Sequence, residues 1–360
     1  MRASERICKA TILCVAAVMS VFGTIGTACR LMRITGGEKT AEAGAVLAQQ
    51  NTDNTTDFDK ASESSLSSRK PVKDPFEEDT DLEISLDTPT DDTDHTGENT
   101  YLVTESLYRE SNMSCENFYV KNATDLSIDL KQCLNAELPF KYENTSQPQV
   151  LIVHTHATES YMDSDLGYYY ESFYPRSTDD SRNVVRVGDQ ICDSLKKDGI
   201  ESVHCTVHHD DPSYLGAYDN CADSINEYLA RYPSIKIILD IHRDSITTDD
   251  NEKIKPTFTY NGKKAAQIMI MCGNDNYGYY DFPDWQDNLN LAVKLQKAAE
   301  TNYPGMTRPL HFGNFMYNMN LAPGSLLIEI GTDANTLEES VRSGEYLGHV
   351  ISGVLKETEK

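Results

Sequence analysis

The chain lacks the marks of a protein that handles nucleic acid or nucleotides. Its 32 lysines and arginines face 57 aspartates and glutamates, a net charge of −25, and no basic stripe gathers along it. Polyphosphate partners are held by clustered cations that neutralise phosphate, so nucleic acid is excluded as a partner. No glycine-rich phosphate loop and no internal repeat occurs, which removes the P-loop and solenoid readings. The nine cysteines are scattered without CxxC spacing, so they predict neither a thiolate metal site nor a disulfide framework. Cys192, Cys221 and Cys272 read as small apolar core residues.

One long apolar run is present. Ala10 to Cys29 carries no charge over 20 positions, which at about 1.5 Å per helical residue matches a hydrocarbon core of roughly 30 Å. Arg2, Arg6 and Lys9 precede it with only Glu5 opposing, so residues 1–9 are expected in the cytoplasm and the rest outside. The length of the run favours a membrane anchor at 10–29 over a cleaved leader ending near Ala28. Residues 30–100 then read as an acidic disordered linker: within 51–100 there are 15 acidic and 4 basic residues and few large apolar ones. Such a segment buries too little to fold, and self-repulsion keeps it extended.

Residues 101–148 are more apolar and form a lead-in segment, with Leu126, Leu130 and Leu134 spaced for a short helix. From Val150 short aliphatic runs alternate with amphipathic stretches, which predicts an α/β domain over 149–356: an open, mostly parallel twisted sheet flanked by helices. The expected strands are Val150–His154, Ser202–Val207, Ile235–His242, Gln267–Met271 and Leu326–Ile330. The first, third and last are apolar at successive positions, as strands covered on both faces are. Val184, Val187, Ile191 and Leu195 mark one helix, with Asp179-Asp180-Ser181 as candidate caps and Gly199 as its stop. Further helices are marked by Ile225, Tyr228 and Leu229, by Leu291, Leu295 and Ala298, and by the apolar positions from Leu337 to Val354. Asn261-Gly262 predicts a hairpin turn between Thr257–Tyr260 and Gln267–Met271.

In open α/β sheets ligands gather beyond the carboxyl ends of strands. Three such places carry polar groups. VLIVHTHATES offers His154, His156 and Glu159, the two histidines sharing a side if the strand continues. IKIILDIHRDS ends in Asp240, His242, Arg243 and Asp244, and SLLIEIGT sets Glu329 inside an aliphatic strand. Imidazole and carboxylate are the ligands of catalytic zinc, normally three protein groups with one position left open. Glu329 suits the proton-transfer role beside them, since a carboxylate in an apolar strand is costly unless it is paired or used. Arg243 and Asp244 are read either as an internal ion pair or as substrate contacts. His208-His209, flanked by aspartates, is the rival site.

At this point a family resemblance becomes specific. The blocks PQVLIVHTHATESY (148–161), RNVVRVGDQI (182–191), DIHRDS (240–245), DNLNLAVKL (287–295), YPG (303–305) and NMNLAPGSLLIEIGTDANTLEE (318–339) resemble the stage II sporulation protein P family. These are membrane-anchored cell-wall hydrolases of endospore-forming bacteria, and the resemblance covers roughly 115–356. It implies a fold similar to zinc N-acetylmuramoyl-L-alanine amidases and cleavage of the amide between the muramic lactyl group and L-alanine, with cross-link endopeptidase activity also attributed to the family. It further implies action at the forespore septum with other engulfment proteins, including a lytic transglycosylase. Ordinary amidases place a ligand glutamate just before the first helix, where this chain has Asp179, Asp180 or Ser181. The ligand set is then His242, one or both of His154 and His156, and Glu159, with Asp180 as the alternative carboxylate. Glu329 is the expected proton shuttle and Arg243 the oxyanion or stem-peptide contact, with Asp244 and Asn320 toward substrate.

Overall fold

The computed structural model describes residues 95–359. The expected anchor at 10–29, the residues before it and nearly all of the acidic linker lie outside the described residues. Among the described residues no helix is long and apolar enough to cross a membrane.

In chain order the elements are β1 (Thr100–Ser106), β2 (Met113–Cys115), β3 (Phe118–Asn122), α1 (Leu130–Asn135), β4 (Val150–Val153), β5 (Tyr168–Tyr170), α2 (Val184–Lys197), β6 (Ser202–His204) and α3 (Ala217–Arg231). They continue as β7 (Ile237–Asp244), β8 (Lys253–Tyr260), β9 (Lys263–Ala266), β10 (Ile268–Gly273), α4 (Trp285–Asn302), β11 (Leu310–Gly313), β12 (Ser325–Thr332) and α5 (Leu337–Glu357). An eight-stranded sheet has the order β2-β3-β11-β10-β12-β7-β4-β6, and a four-stranded one the order β5-β1-β8-β9.

Both sheets are mixed, which corrects the expectation of a mostly parallel one. In the large sheet β10 runs antiparallel to β12 and β2 antiparallel to β3, and in the small sheet β8–β9 and β1–β5 are antiparallel. The cause is the connection. Parallel neighbours need a crossover of a dozen or more residues, usually a helix, whereas β10 is reached from β7 through the β8–β9 hairpin with no helix between. The hairpin turns at Asn261-Gly262, both with positive φ (50° and 76°), as a two-residue turn that matches strand twist requires. Its second strand is β9; Gln267 separates this from β10, which belongs to the large sheet. The lead-in also contributes more than a packed helix, since β3 pairs in parallel with β11.

The apolar positions of the central strands divide cleanly between two faces. Val150 and Ile152 of β4, Ile237, Leu239 and Ile241 of β7, and Ile268 and Ile270 of β10 join α2, α4 and α5 in one core. Leu151, Val153, Val203 and Ile238 face the other way and pack with Cys221, Ile225 and Tyr228 of α3. That second core draws nothing from β10, β11 or β3. Helix α2 is capped by Asn183, whose side chain accepts from Val185 N, rather than by the Asp179-Asp180-Ser181 run just before it. Helix α5 opens on a capping box in which Thr336 and Glu339 satisfy each other's backbone N–H groups.

Candidate metal centre

Strand β4 ends at Val153, and the chain turns at once through residues 155–158. This break decides the fate of the two histidines. His154 and His156 do not share a side, because the two-residue alternation of a strand does not extend past Val153. His154 is fully buried under α2: its Nδ1–H donates to Ile241 O at 2.9 Å, and its Nε2 accepts from His204 Nε2 at 2.8 Å. Burial and then the neighbouring His204 hold its pKa down at about 3. Both ring nitrogens are thus engaged, and His154 does not reach the centre.

His156 does reach it. Its Nδ1 lies 3.5 Å from Glu159 Oε1, and His242 Nδ1 lies 3.4 Å from Glu159 Oε2. One potential ligand atom from each of these three buried residues falls within 4.8 Å of the others. Glu159 is held there from two sides: Arg243 N donates to Oε2 at 3.0 Å, and Arg176 approaches Oε1 at 3.9 Å. Burial opposes its charge, but His156, His242 and Arg243 outweigh that and keep its pKa well below the ordinary value. Behind His242 sits Asp240, with Oδ1 at 2.9 Å from Nε2, itself fixed by Thr155 N at 2.8 Å and Thr155 Oγ1 at 2.6 Å. Burial resists charging His242 too, yet Asp240 and Glu159 together raise its pKa well above normal.

Glu329 stands beside this group. In the parallel β7–β12 pairing it is the register partner of His242, so both side chains leave the same face of the sheet. Its Oε2 is fully buried without a hydrogen-bond partner. Burial foremost, then the negative charges of Asp244 and Glu159, push its pKa up to about 8 against the opposing His242 and Arg308. Two imidazoles and a carboxylate with their donor atoms converging, and an orphaned carboxylate oxygen alongside, are the donor set a divalent cation such as zinc takes. These residues fit such an ion.

Other predicted residues lie elsewhere. The Arg243 guanidinium is occupied by backbone carbonyls, Nε donating to Ser160 O at 3.1 Å and a terminal nitrogen to Pro175 O at 2.6 Å. It clamps the loop that carries Glu159. Asp244 binds Arg308 at 2.7 Å and lies near enough to Glu329 to act on its charge. Asn320 is in the 314–324 loop, with a buried side-chain oxygen that has no partner. Asp180 bonds His208 at 2.6 Å and stands apart from the cluster. His209 spans His154 O at 2.7 Å and Ser224 Oγ at 2.9 Å as a strut between loop and α3.

Several site residues carried no signal in the sequence. Arg176 reaches Glu159, Thr158 Oγ1 and Asp210 from a loop with no periodicity. Tyr214, 56% exposed, stacks on His156 with ring centroids 4.4 Å apart, and Tyr218 meets the same imidazole edge-on.

Fold and site together define an α/β protein with a buried His–Glu–His centre of metal-binding type next to a carboxylate of raised pKa. The family model described as Stage II sporulation protein P (SpoIIP) matches residues 40–352, and the chain belongs to that family. The protein of that description from Bacillus subtilis (strain 168) is 28% identical over 251 residues, covering 66% of this chain and 59% of its own length. This chain therefore spans 59% of the curated relative it matches. Solved structures with some likeness include the CwlD amidase from Clostridioides difficile in complex with the GerS lipoprotein, at 12% identity over 58% of this chain and 97% of that one, TM-score 0.35. An N-acetylmuramoyl-L-alanine amidase from Clostridium difficile 630 has 18% identity over 59% and 96%, TM-score 0.35. AmiC2 of Nostoc punctiforme has 13% identity over 58% and 96%, TM-score 0.34.

Proposed function

We propose that the protein is a zinc-dependent hydrolase of peptidoglycan, an N-acetylmuramoyl-L-alanine amidase that thins the septal wall during sporulation. The observation that carries this reading is the juxtaposition of Glu329 with the His156–Glu159–His242 centre, since a mere binding site has no use for a proton-transfer group. Zinc held by His156, Glu159 and His242 supplies Lewis acidity to the scissile carbonyl and the attacking water.

The chain's own groups do the rest. The Asp240 carboxylate stands 2.9 Å from His242 Nε2 as an ion-pair partner, leaving Nδ1 toward Glu159. Arg243 and Arg176 fix Glu159 from its backbone and solvent sides. With a pKa near 8, Glu329 is within reach of both protonation states around neutrality. A group that takes a proton from water and gives it to a leaving amine needs this. Tyr214 shields the outer face of His156 from water. In the cell, the anchor at 10–29 and the linker place the domain outside the membrane, where it acts alongside other engulfment proteins, among them a lytic transglycosylase.

The test is digestion of purified peptidoglycan by wild type and Glu329→Gln, with the fragments identified by mass spectrometry. Free stem peptides released by wild type and lost by a factor of about a hundred or more in the variant support the reading. Cut cross-links or deacetylated sugars in their place would reassign the reaction, and equal activity of the two proteins would remove Glu329 from it.

A further inference from the structure

The two imidazoles of the centre are supported differently. A metal-binding histidine normally has its other ring nitrogen held by a carboxylate, a carbonyl or water, which fixes the ring. His242 has the Asp240 carboxylate 2.9 Å from Nε2. His156 has no such group behind it: its only ion-pair partner among the described residues is Glu159, 3.5 Å from Nδ1 and itself part of the centre. What touches this imidazole is aromatic. Tyr214 lies face to face with it, centroids 4.4 Å apart at 21°, while Tyr218 and His242 meet it edge-on at 5.5 and 5.1 Å. Tyr218 is fixed by α3 and His242 by β7, but Tyr214 comes from the loop before α3 and is 56% exposed. Ordering so open a side chain costs entropy, so the stack needs something to hold it.

Arg176 holds it. Its guanidinium carbon is 5.1 Å from the Tyr214 centroid, within reach of a cation–π contact. Nη1 donates to Asp210 Oδ2 at 2.8 Å and to Thr158 Oγ1 at 2.9 Å, and Nη2 stands 3.9 Å from Glu159 Oε1. The Asp210 side chain is wholly buried and also accepts from Thr158 N at 3.2 Å and Thr158 Oγ1 at 2.6 Å. These bonds tie the loop of Tyr214 to the turn that carries His156 and Glu159. The segment of Arg176 is pinned in turn, since Arg243 donates to the carbonyl of the preceding Pro175 at 2.6 Å.

We infer that Arg176 and Tyr214 are positioning residues of the metal centre: Tyr214 sets the His156 ring by stacking, and Arg176 holds Tyr214 in place while facing Glu159. One guanidinium thereby aligns two of the three ligands from the solvent side. The inference rests on the zinc reading above. Neither residue is itself a ligand, because a guanidinium has no acceptor and a ring stacked face-on presents carbon to the imidazole. The stack needs the aromatic ring and not its hydroxyl, so phenylalanine serves in place of Tyr214.

The experiment loads the full chain with zinc and reads its affinity by competition with a chelator, alongside the urea midpoint of the zinc-free protein. Tyr214→Ala is expected to weaken zinc about tenfold or more, as loss of a group that orients a ligand does, and to leave the zinc-free midpoint at its wild-type value. Tyr214→Phe is expected to keep wild-type affinity. Arg176→Gln alone would strand the buried Asp210 carboxylate, so it is combined with Asp210→Asn. This pair is expected to weaken zinc about tenfold, and Tyr214→Ala added to it to cost less than it does in wild type, because the ring is already released. Wild-type affinity in Tyr214→Ala overturns the inference. So do an equal loss in Tyr214→Phe, losses that add in full, and a zinc-free midpoint lowered by Tyr214→Ala, the mark of general packing. The amidase reading fails separately: if zinc affinity depends on Tyr214 yet wild type releases no stem peptide from the wall, the positioning stands and the reaction falls. If wild type releases stem peptide while Tyr214→Ala holds zinc as wild type does, the positioning falls and the reaction stands.

Discussion

Replacing Gly188 by alanine tests the packing that positions the centre. Gly188 lies within α2, where glycine costs about 1 kcal/mol relative to alanine, so on helix propensity alone the substitution stabilises by about that much. The structure predicts the opposite sign. A Cβ at Gly188 would stand 2.5 Å from His204 Nε2 and 2.7 Å from His154 Nε2, the two atoms that bond each other at 2.8 Å. His204 is tied in turn to Asp189 at 3.0 Å, and His154 to Ile241 O, so neither ring can swing aside without losing a bond. Overpacking costs about 1–3 kcal/mol, and a buried imidazole left without its partner about 1–3 kcal/mol more. Against the gain of about 1 kcal/mol, the net loss is about 1–5 kcal/mol. Urea denaturation measures it, with Gly353→Ala as control: Gly353 is also in a helix, α5, and open space surrounds its Cβ position, so this change is expected to stabilise by up to about 1 kcal/mol. Because Ile241 adjoins His242, Gly188→Ala is also expected to weaken zinc binding. A Gly188→Ala protein as stable as the Gly353→Ala one would refute the imidazole chain as a structural element.

Three further outcomes follow from contacts in the structure. Asp240→Asn, which alters the group behind His242, is expected to weaken zinc about 10–100-fold, read by competition with a chelator; unchanged affinity would show that Asp240 does not orient the ligand. The Asp180–His208 pair predicts a pH-dependent stability. Its hydrogen bond raises the His208 pKa above 6.5, and His208 in turn, outweighing burial, lowers that of Asp180 below 3.8. The histidine's contribution is complete below 6.5 and fades as pH rises through the raised value, while the carboxylate's is present above 3.8 and fades as pH falls through the lowered one. Asp180→Asn should therefore cost most near pH 5 and least at alkaline pH, and a flat difference across that range counts against the pair. Lys255, 2% exposed, bonds Glu339 at 3.0 Å and Asp165 at 2.7 Å; Lys255→Met strands a buried carboxylate and is expected to cost about 3 kcal/mol or more by denaturant midpoint.

What could be read from the sequence was whatever local periodicity determines. β4, β7 and β12 announce themselves as unbroken aliphatic runs because both of their faces are packed, and α2 and α5 show their apolar stripes. The small sheet was out of reach: β1 pairs with β8, some 150 residues on, and its exposed positions alternate with no clear apolar face. At the centre, His242 and Glu329 were legible since polar groups in such strands need a reason. The choice between His154 and His156 was not, because it depends on β4 stopping at Val153, and four apolar residues do not say where a strand stops. Arg176 and Tyr214 come from loops whose course depends on distant contacts.

The reversed direction of β10 has a consequence for where substrate can lie. The three helical crossovers of the large sheet are β4–α2–β6, β6–α3–β7 and β10–α4–β11, and such crossovers share one hand. The first steps outward toward the β6 edge and sets α2 on one face; the second steps back and sets α3 on the other. The third also steps in the direction of the second. Had β10 and β11 run parallel to β7, α4 would have joined α3 and roofed the face that bears Glu329. They run the other way, so the same hand sends α4 to the face of α2 and α5, where its Leu291 and Leu295 are found. The hairpin that breaks the parallel pattern is thus what keeps the sheet bare next to His242, so that a centre built at strand ends opens onto a surface long enough for a polymer.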